Sequence, residues 1–451
     1  EKQEIVLEIN AQRSKAMERR ENNPEMIKML EQREIQNKYT SYAHLKNVAK
    51  KGGVRLVSGD WLVETWKKDA VLPCRQEAPE EAFVNPDDLN QDKVAIFSVS
   101  YPWITPQHPD PKGFHLAIIA EVVEMFMTLE KKQVAIFWDW LSCYQNYYED
   151  TSHPPDAYEG LVKNERNEEQ NASFKVALDH INDWYMSSKT YKVIQSVPVP
   201  DAVDMREYKL RGWCAFENYI SEWITPSDRI LDMKFVKERM EEWRCKTLTE
   251  MSAKYIEKGA DQEVASWSGM FDGFVKTGKN VLGKYQIVVN LTNHPSRSEA
   301  PMTPEKFEKL FHDDPSSSLQ VTNGSDIDFL KKKFAKGYKE LFSSGIATYD
   351  FSGLGWKFDI RVLFDTIFKD GAGQIVKLEL CDNDVFGDIS LFDRLPRLES
   401  LNIEGCSDLD GDISVFQRLR NLQYLNVHGC SKLNGDHDSL RTALPKCHFH
   451  F

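Results

Sequence analysis

The sequence predicts an α/β protein with a parallel sheet, a charged N-terminal helical arm and a short C-terminal repeat. Short apolar segments alternate with amphipathic helical segments between residues 94 and 224, and a period of about 24 residues governs the end of the chain. Strands that alternate with helices form parallel sheets covered on both faces. The expected division is a charged helical arm at 1–52, a short helix and linker at 53–93, an α/β domain with an extension at 94–345, and repeats at 346–451.

Composition limits the functions open to this chain. Its 451 residues carry 57 basic and 70 acidic side chains, a formal charge of -13. Nucleic-acid binders need a basic surface that neutralises phosphates, so the expected partners are proteins or further copies of the chain. No apolar run is long enough to predict a transmembrane segment. Eight cysteines without a CxxC pair favour the cytoplasm or another reducing compartment. The chain begins with Glu1 rather than Met, so a removed targeting peptide and import into an organelle stay open.

Charged and amide side chains dominate the first 52 residues. Ile5, Leu7 and Ile9 form only a thin apolar line, which is typical of an exposed helix. A solvated arm and a partner-binding helix both fit this pattern. Trp61 to Trp66 then predict a short amphipathic helix, and the Pro-, Asp- and Asn-rich stretch after it predicts a linker.

The apolar runs 94–99, 134–138 and 191–197 predict three buried strands, with helices at 115–130 and 174–186 between them. Ligands bind parallel sheets beyond the carboxyl ends of the strands. Here those ends are 98–103, 139–145 and the loop before Trp213, which we expect to meet at one edge. Residues 225–345 predict helices near 234–258, 305–312 and 326–342 and a strand at 285–291, as an extension of the same domain.

The C-terminal part repeats a pattern of two apolar positions followed by Asn or Cys. Asn383, Cys406 and Cys430 each lie three residues after the second apolar position, and Gly-Asp pairs recur at 387–388, 411–412 and 435–436. This is the period of a leucine-rich repeat, with one short strand and one turn in each unit. Asn and Cys suit the same position because both side chains can donate to backbone carbonyls inside the turn.

Residues 211–221, RGWCAFENYIS, predict a helix with an apolar stripe that begins at Trp213. Glu217 lies one turn after Trp213, at the edge of this stripe. Its carboxylate is expected either to be half-desolvated at the mouth of a cleft or to pair with a cation such as Arg211. The sequence alone leaves both alternatives open.

Three of these segments together resemble the Toll/interleukin-1 receptor (TIR) domain over residues 94–224. The segments are IFSVSY at 96–101, IFWDW at 136–140 and RGWCAFE at 211–217. The resemblance implies a flavodoxin-like parallel sheet. The first loop and the segment 146–170 depart from the family pattern.

In the enzymatic members of that family, the glutamate matching Glu217 cleaves the nicotinamide–ribose bond of NAD. The resemblance therefore implies Glu217 as a catalytic residue, with NAD as a substrate rather than a bound cofactor. A carboxylate there would stabilise an oxocarbenium-like centre. Aromatic side chains at the strand ends could stack on a flat base. The residues expected around the ligand are Ser100, Tyr101, Trp103, Asp139, Trp140 and Trp213.

No resident cofactor or metal is expected. Asp408, Asp410 and Asp412 imitate the start of a calcium loop, but Ile413 and Leu419 stand where Gly and Glu are needed. His108 is a candidate base, although a structural turn histidine is the commoner outcome. The first functional hypothesis is an interaction or scaffold protein that docks through its TIR-like and repeat surfaces. The second is an NAD hydrolase.

Overall fold

The computed structural model describes residue 34 and residues 38–148, 163–200, 206–237, 300–342 and 346–451, except 313, 315 and 370. Its first part is built on a five-stranded sheet. The sheet strands are β1 (Val57–Ser58), β2 (Val94–Ser100), β3 (Gln133–Phe137), β6 (Thr190–Ile194) and β7 (Ile230–Asp232), while β4 (Tyr147–Tyr148) and β5 (Lys163–Asn164) form a separate two-stranded antiparallel sheet. The spatial order is β1-β3-β2-β6-β7.

Four of these strands are parallel, and only the edge strand β1 runs antiparallel to its neighbour. All seven residues of β2 are buried, as expected for a central strand covered on both faces. The predicted parallel sheet is thus confirmed. The strand bounds differ from the predicted ones by up to three residues.

Helices pack around this sheet and connect its strands. They are α1 (Tyr42–Lys50), α2 (Gly59–Lys67), α3 (Phe114–Glu130), α4 (Asp139–Ser142), α5 (Glu168–Asp179), α6 (Ile181–Met186), α7 (Gly212–Ser221), α8 (Pro304–Glu308) and α9 (Asp326–Phe342). The helix predicted at 174–186 is two helices, which meet at His180. The first begins earlier than predicted because Asn167 and Gln170 form a capping box.

The prediction of an exposed helical arm over residues 1–52 is wrong for α1. Tyr42, Leu45 and Val48 of α1 are buried in the main core. The Tyr42 hydroxyl also donates to the carbonyl of Val94, at the start of β2. Residues 1–33 lie outside the described residues.

The extension packs on the outer face of α7. Helix α9 has the predicted bounds, and Trp223, just after α7, packs edge-on against Phe334 with ring centroids 4.7 Å apart. Phe307 of α8 also stacks on Phe334, with ring centroids 4.0 Å apart. The predicted strand at 285–291 and most of the helix at 234–258 lie outside the described residues.

The C-terminal part is a stack of coils with a second five-stranded parallel sheet, in the order β15-β13-β11-β9-β8. Its strands are β8 (Thr348–Asp350), β9 (Lys377–Glu379), β11 (Ser400–Asn402), β13 (Tyr424–Asn426) and β15 (His448–His450). A narrower parallel sheet consists of β10 (Gly387–Asp388), β12 (Leu409–Asp412) and β14 (Leu433–Asn434). Helices α10 (Arg361–Asp365) and α11 (His437–Ala443) complete the stack.

The side chains at the Asn and Cys positions donate hydrogen bonds to backbone carbonyls inside the coils, as the repeat pattern predicts. The Asn383 amide donates to the carbonyls of Phe351 and Leu380. The thiols of Cys406 and Cys430 donate to carbonyls of the preceding coil at 3.2 and 3.0 Å. One side-chain position thus satisfies buried backbone carbonyls in successive coils.

The coils and the first part of the chain share one core. Ser227, just before β7, donates its backbone N–H and its hydroxyl to the carbonyl of Gly353. Phe342 at the end of α9 contacts Phe351 of the first coil, and both belong to the main hydrophobic cluster. The sequence boundary at residue 346 is therefore not a break in packing.

Candidate functional site

The carboxyl edge of the first sheet brings together the residues predicted to carry chemistry. Ser100 ends β2, Asp139 begins the segment after β3, and Glu217 lies on α7. The Ser100 hydroxyl donates to Oε2 of Glu217 over 2.5 Å. The acid of α7 therefore stands at the edge of the sheet where the sequence places it.

Glu217 is buried within a group of hydroxyls. Only 8% of the residue is exposed. The hydroxyl of Tyr208 lies 2.5 Å from that of Ser100 and extends the hydrogen-bonded group. Burial raises the pKa of Glu217 to about 8, although the Ser100 hydrogen bond opposes the rise; the charge of Asp139 adds to it. At pH 7 Glu217 is mostly in its neutral acid form.

The side chain of Arg211 is directed at backbone carbonyls. Its Nη1 donates to the carbonyl of Trp103 over 2.8 Å, and its Nε donates to that of Arg206. The structure thus differs from both alternatives for Glu217, because hydroxyl groups surround the carboxyl group and little of it is open to solvent.

Asp139 holds the loop after β2 in place. Its Oδ1 accepts from the Tyr101 hydroxyl at 2.6 Å, and its Oδ2 accepts from the Trp103 indole at 3.3 Å. The backbone N–H of Trp140 adds a third hydrogen bond. Burial raises the pKa of Asp139 and these hydrogen bonds oppose the rise. Both carboxylate oxygens of Asp139 thus accept hydrogen bonds from other residues of the chain.

The aromatic side chains at this edge are mostly packed. Tyr101 and Trp140 are 5% and 2% exposed, so neither offers an open ring face for stacking on a base. Trp103 is half-buried, and its ring meets Trp140 edge-on at 5.6 Å. Of these three predicted ligand contacts, only Trp103 has appreciable exposed surface.

Trp213 does not belong to the group around Glu217. Its indole Nε1 donates to the carboxylate of Asp326 at 2.9 Å, and its ring packs against Phe329. Both partners lie on α9, so Trp213 joins α7 to the extension. The sequence could not show this because the contact spans more than one hundred residues.

Two polar side chains that the sequence analysis missed also fix the edge. The Nε2 of His115 bonds to the carbonyl of Pro102 at 2.8 Å, and its Nδ1 lies 3.2 Å from the amide of Gln195. Burial lowers the pKa of His115 to about 3, which keeps the ring neutral. In the sequence, the signal that could have pointed to them is their position, since His115 lies in the first turn of α3 and Gln195 just after β6.

The N-terminus of α3 is occupied by a carboxylate of the chain itself. Asp110 is 1% exposed, and its Oδ2 accepts from the backbone N–H of Leu116 at 2.8 Å. Burial raises the pKa of Asp110, while the N–H groups of the first turn lower it. A helix N-terminus at the end of a central strand is a usual anion site, and here Asp110 fills it.

His108, the candidate base, has a structural role. Its Nδ1 accepts from the backbone N–H of Asp110 at 2.9 Å, and its Nε2 bonds to the carbonyl of Leu72 at 3.1 Å. Burial lowers its pKa to about 4. Both ring nitrogens are therefore engaged by the backbone.

Within the described part of the chain, no group of potential ligands could hold a metal ion. Over the same residues, no helix has the length and apolarity needed to cross a membrane. No family model, curated protein or solved structure matches the chain.

Proposed function

We propose that this chain is an interaction or scaffold protein, with a TIR-like α/β domain and a leucine-rich-repeat docking surface. The observation that carries the proposal is the open face of the coil sheet. Along one outward row of that sheet Thr348, Lys377 and His448 are exposed and Ser400 and Tyr424 are partly exposed. The next row is exposed only at its ends, at Asp350 and His450, and Asn426 within it is buried. An outward row of mostly polar, solvent-accessible side chains on stacked strands suits a repeat protein that binds other proteins.

The strand order supports the TIR-like assignment. In chain order the parallel strands are β2, β3, β6 and β7, and in space they follow as second, first, third and fourth. This is the beginning of the flavodoxin-like order. Glu217, which matches the family's glutamate, lies beside Ser100 at the end of the central strand, and this position supports the assignment.

NAD hydrolysis by Glu217 is the second candidate, and the geometry favours it less. A carboxylate that stabilises an oxocarbenium-like centre must be ionised and must touch the substrate. Glu217 is mostly neutral at pH 7 and almost fully enclosed. Asp110 also occupies the helix N-terminus that would suit a phosphate.

One assay separates the two candidates. The purified chain is incubated with NAD, and nicotinamide release is followed beside a Glu217→Gln variant. We expect both proteins to match the protein-free blank. Turnover by the native chain that disappears in the variant contradicts the scaffold proposal as the main function.

The docking face is tested with the full chain as bait. Captured proteins are quantified by mass spectrometry for the native chain, for Lys377→Glu on the sheet face and for Arg420→Glu on the turn side, both exposed positions. We expect at least one captured protein to be lost with Lys377→Glu and kept with Arg420→Glu. Equal capture by all three baits contradicts docking through this face.

A further inference from the structure

Residues 206–211, just before α7, lie at the carboxyl edge of the first sheet, and one of them reaches inward. Tyr208 is 6% exposed, whereas its neighbours Glu207 and Lys209 are exposed and the other three residues are half-buried. Tyr208–Leu210 form a single turn of 3-10 helix. A short surface turn with one buried aromatic side chain is anchored mainly by the apolar area of that side chain.

The inward end of Tyr208 completes the group of hydroxyls around Glu217. Its hydroxyl lies 2.5 Å from that of Ser100, which donates to the Glu217 carboxyl group. Its ring belongs to a small apolar cluster with Ile194, Cys214 and Ile230. Ligands of parallel sheets bind beyond the carboxyl ends of the strands. The phenol ring therefore occupies the room in which a ligand would meet Ser100 and Glu217.

The hydroxyl groups near Glu217 differ in how firmly the fold holds them. Ser100 belongs to the fully buried central strand β2. Tyr185 lies on α6 and donates its hydroxyl to the carbonyl of Val99 at 2.8 Å. Movement of either residue would disrupt the central strand or a helix packed on it. Tyr208 differs, because the turn that carries it lies between exposed side chains and outside the paired strands.

The turn has a fixed base at its C-terminal end. The carbonyl of Leu210 accepts from the backbone N–H of Gln320 at 3.0 Å, and the N–H of Gly212 donates to the carbonyl of Gln320 at 2.7 Å. These two hydrogen bonds hold the chain on both sides of Arg211. Residues 206–209 can therefore turn outward about this base while α7 and the sheet keep their hydrogen bonds.

We propose that Tyr208 is an autoinhibitory plug, whose ring holds the place of a flat, ring-bearing ligand at Ser100 and Glu217 until residues 206–209 move outward. The phenol has the features that such a ligand would share, namely a flat apolar ring and one polar group beside the Ser100 hydroxyl. The inference goes beyond the docking role, since it concerns the sheet edge and not the coils. It also explains why Glu217 is enclosed at an edge where ligands bind.

Carbodiimide coupling of a primary amine to Glu217 tests the plug, because the reagent must reach the carboxyl group. The full native chain, Tyr208→Ala and Tyr349→Ala are treated at mildly acidic pH, and tandem mass spectrometry gives the coupling rate at Glu217. Tyr349→Ala is the matched control, because Tyr349 is 5% exposed in the first coil and its loss removes a similarly buried ring elsewhere.

We expect coupling in Tyr208→Ala to be at least about tenfold faster than in the other two proteins, since local opening replaces protection. Circular dichroism confirms that the variants are folded. Tyr208→Leu, which keeps part of the apolar contact, should change the rate in the same direction and serves if Tyr208→Ala does not fold. Equal rates in all proteins overturn the inference, as does equal acceleration by Tyr208→Ala and Tyr349→Ala.

A second test identifies the kind of ligand that takes the vacated place. Coupling of Tyr208→Ala is repeated with benzamide, which has a flat ring and one polar group, and with propionamide, which has the polar group alone. We expect benzamide to slow coupling in the variant and to leave the native chain unchanged, and propionamide to affect neither. Equal rates with and without benzamide overturn the ring-ligand assignment, as does equal protection by propionamide.

These outcomes are separate from those of the proposed function. Fast coupling in the native chain together with capture through Lys377 removes the plug and leaves the docking role intact. Slow native coupling that Tyr208→Ala accelerates, with equal capture by all three baits, does the reverse.

Discussion

Glu217 shows how burial changes the chemistry of one carboxyl group. Burial keeps the proton on the acid up to a pKa of about 8, against the opposing effect of the hydrogen bond from the Ser100 hydroxyl. In the unfolded chain a glutamate loses its proton near pH 4.3. Between these values the folded protein holds a proton that the unfolded chain has released, so this group's contribution to stability falls as the pH rises.

Glu217→Gln should therefore remove a pH dependence. The free energy of unfolding of the native chain should carry a component that falls by about 1.4 kcal/mol per pH unit between the two pKa values, which the variant lacks. Urea unfolding from pH 5 to pH 8.5 measures the difference, since the variant should gain on the native chain as the pH rises. Glu222→Gln, just after the same helix, is the control and should follow the native curve. Parallel curves for native chain and Glu217→Gln would mean that Glu217 is ionised.

Asp183 presents the opposite case, a buried carboxylate that stays charged. It accepts from Nδ1 of His180 at 2.6 Å and lies 3.0 Å from the ammonium of Lys38 and 3.5 Å from Nε2 of His44. Burial alone would raise its pKa, but His180, His44 and Lys38 together hold it well below the usual range. Its stabilising contribution is therefore present at neutral pH and is lost as acid protonates it below about pH 4.

Asp183→Asn should lower the free energy of unfolding at pH 7 by about 1.5–3 kcal/mol, because it removes a charged acceptor from the hydrogen bond with His180 and ends the ion pair with Lys38, which retains Glu340. Chemical denaturation measures the loss. Asp179→Asn, an exposed member of the same stretch paired with Lys333, should cost little. A similar small effect of both changes would show that the Asp183 cluster does not stabilise the fold.

At the scale of elements, the coil stack depends on backbone conformations that favour glycine. Gly387, Gly411 and Gly435 have φ values of +112°, +121° and +122°. A Cβ on Gly411 would lie 2.9 Å from Cγ1 of Ile389 and 3.1 Å from the carboxylate of Asp388. The recurring Gly-Asp pair therefore combines a positive φ, which favours glycine, with close contact between successive coils.

Gly411→Ala should destabilise the protein by about 1–3 kcal/mol, through backbone strain and the contact with the preceding coil. The melting temperature measures the change. Gly373→Ala is the matched control, since a Cβ there meets nothing within 4 Å. Equal melting temperatures for the two variants would contradict this account of the repeat.

At the scale of the molecule, one hydrophobic cluster joins the first coil to the helices of the α/β part. Phe351 of the first coil touches Phe342 of α9 and Phe368 near α10, and all three are buried. Cooperative unfolding follows when parts of a chain share a core.

We therefore expect one unfolding transition for the described parts. Far-ultraviolet circular dichroism and tryptophan fluorescence should give the same midpoint, and Gly411→Ala should shift both midpoints together. Two separated transitions would show that the coils and the α/β part unfold independently.

Local patterns in the sequence determined the strands of the parallel sheet, the period of the coils and the position of Glu217 at the carboxyl edge. Each rests on residues near one another in the chain, such as the apolar run of β2 and the recurring Gly-Asp pair. Tertiary structure alone decided the protonation of Glu217, the burial of α1 and the use of Trp213 as a link to α9. These depend on contacts such as those between Ser100 and Glu217 or between Trp213 and Asp326, which join residues far apart in sequence. Burial and the neighbouring charges and hydrogen-bond partners together set the charge of a carboxyl group, and only the folded chain fixes them.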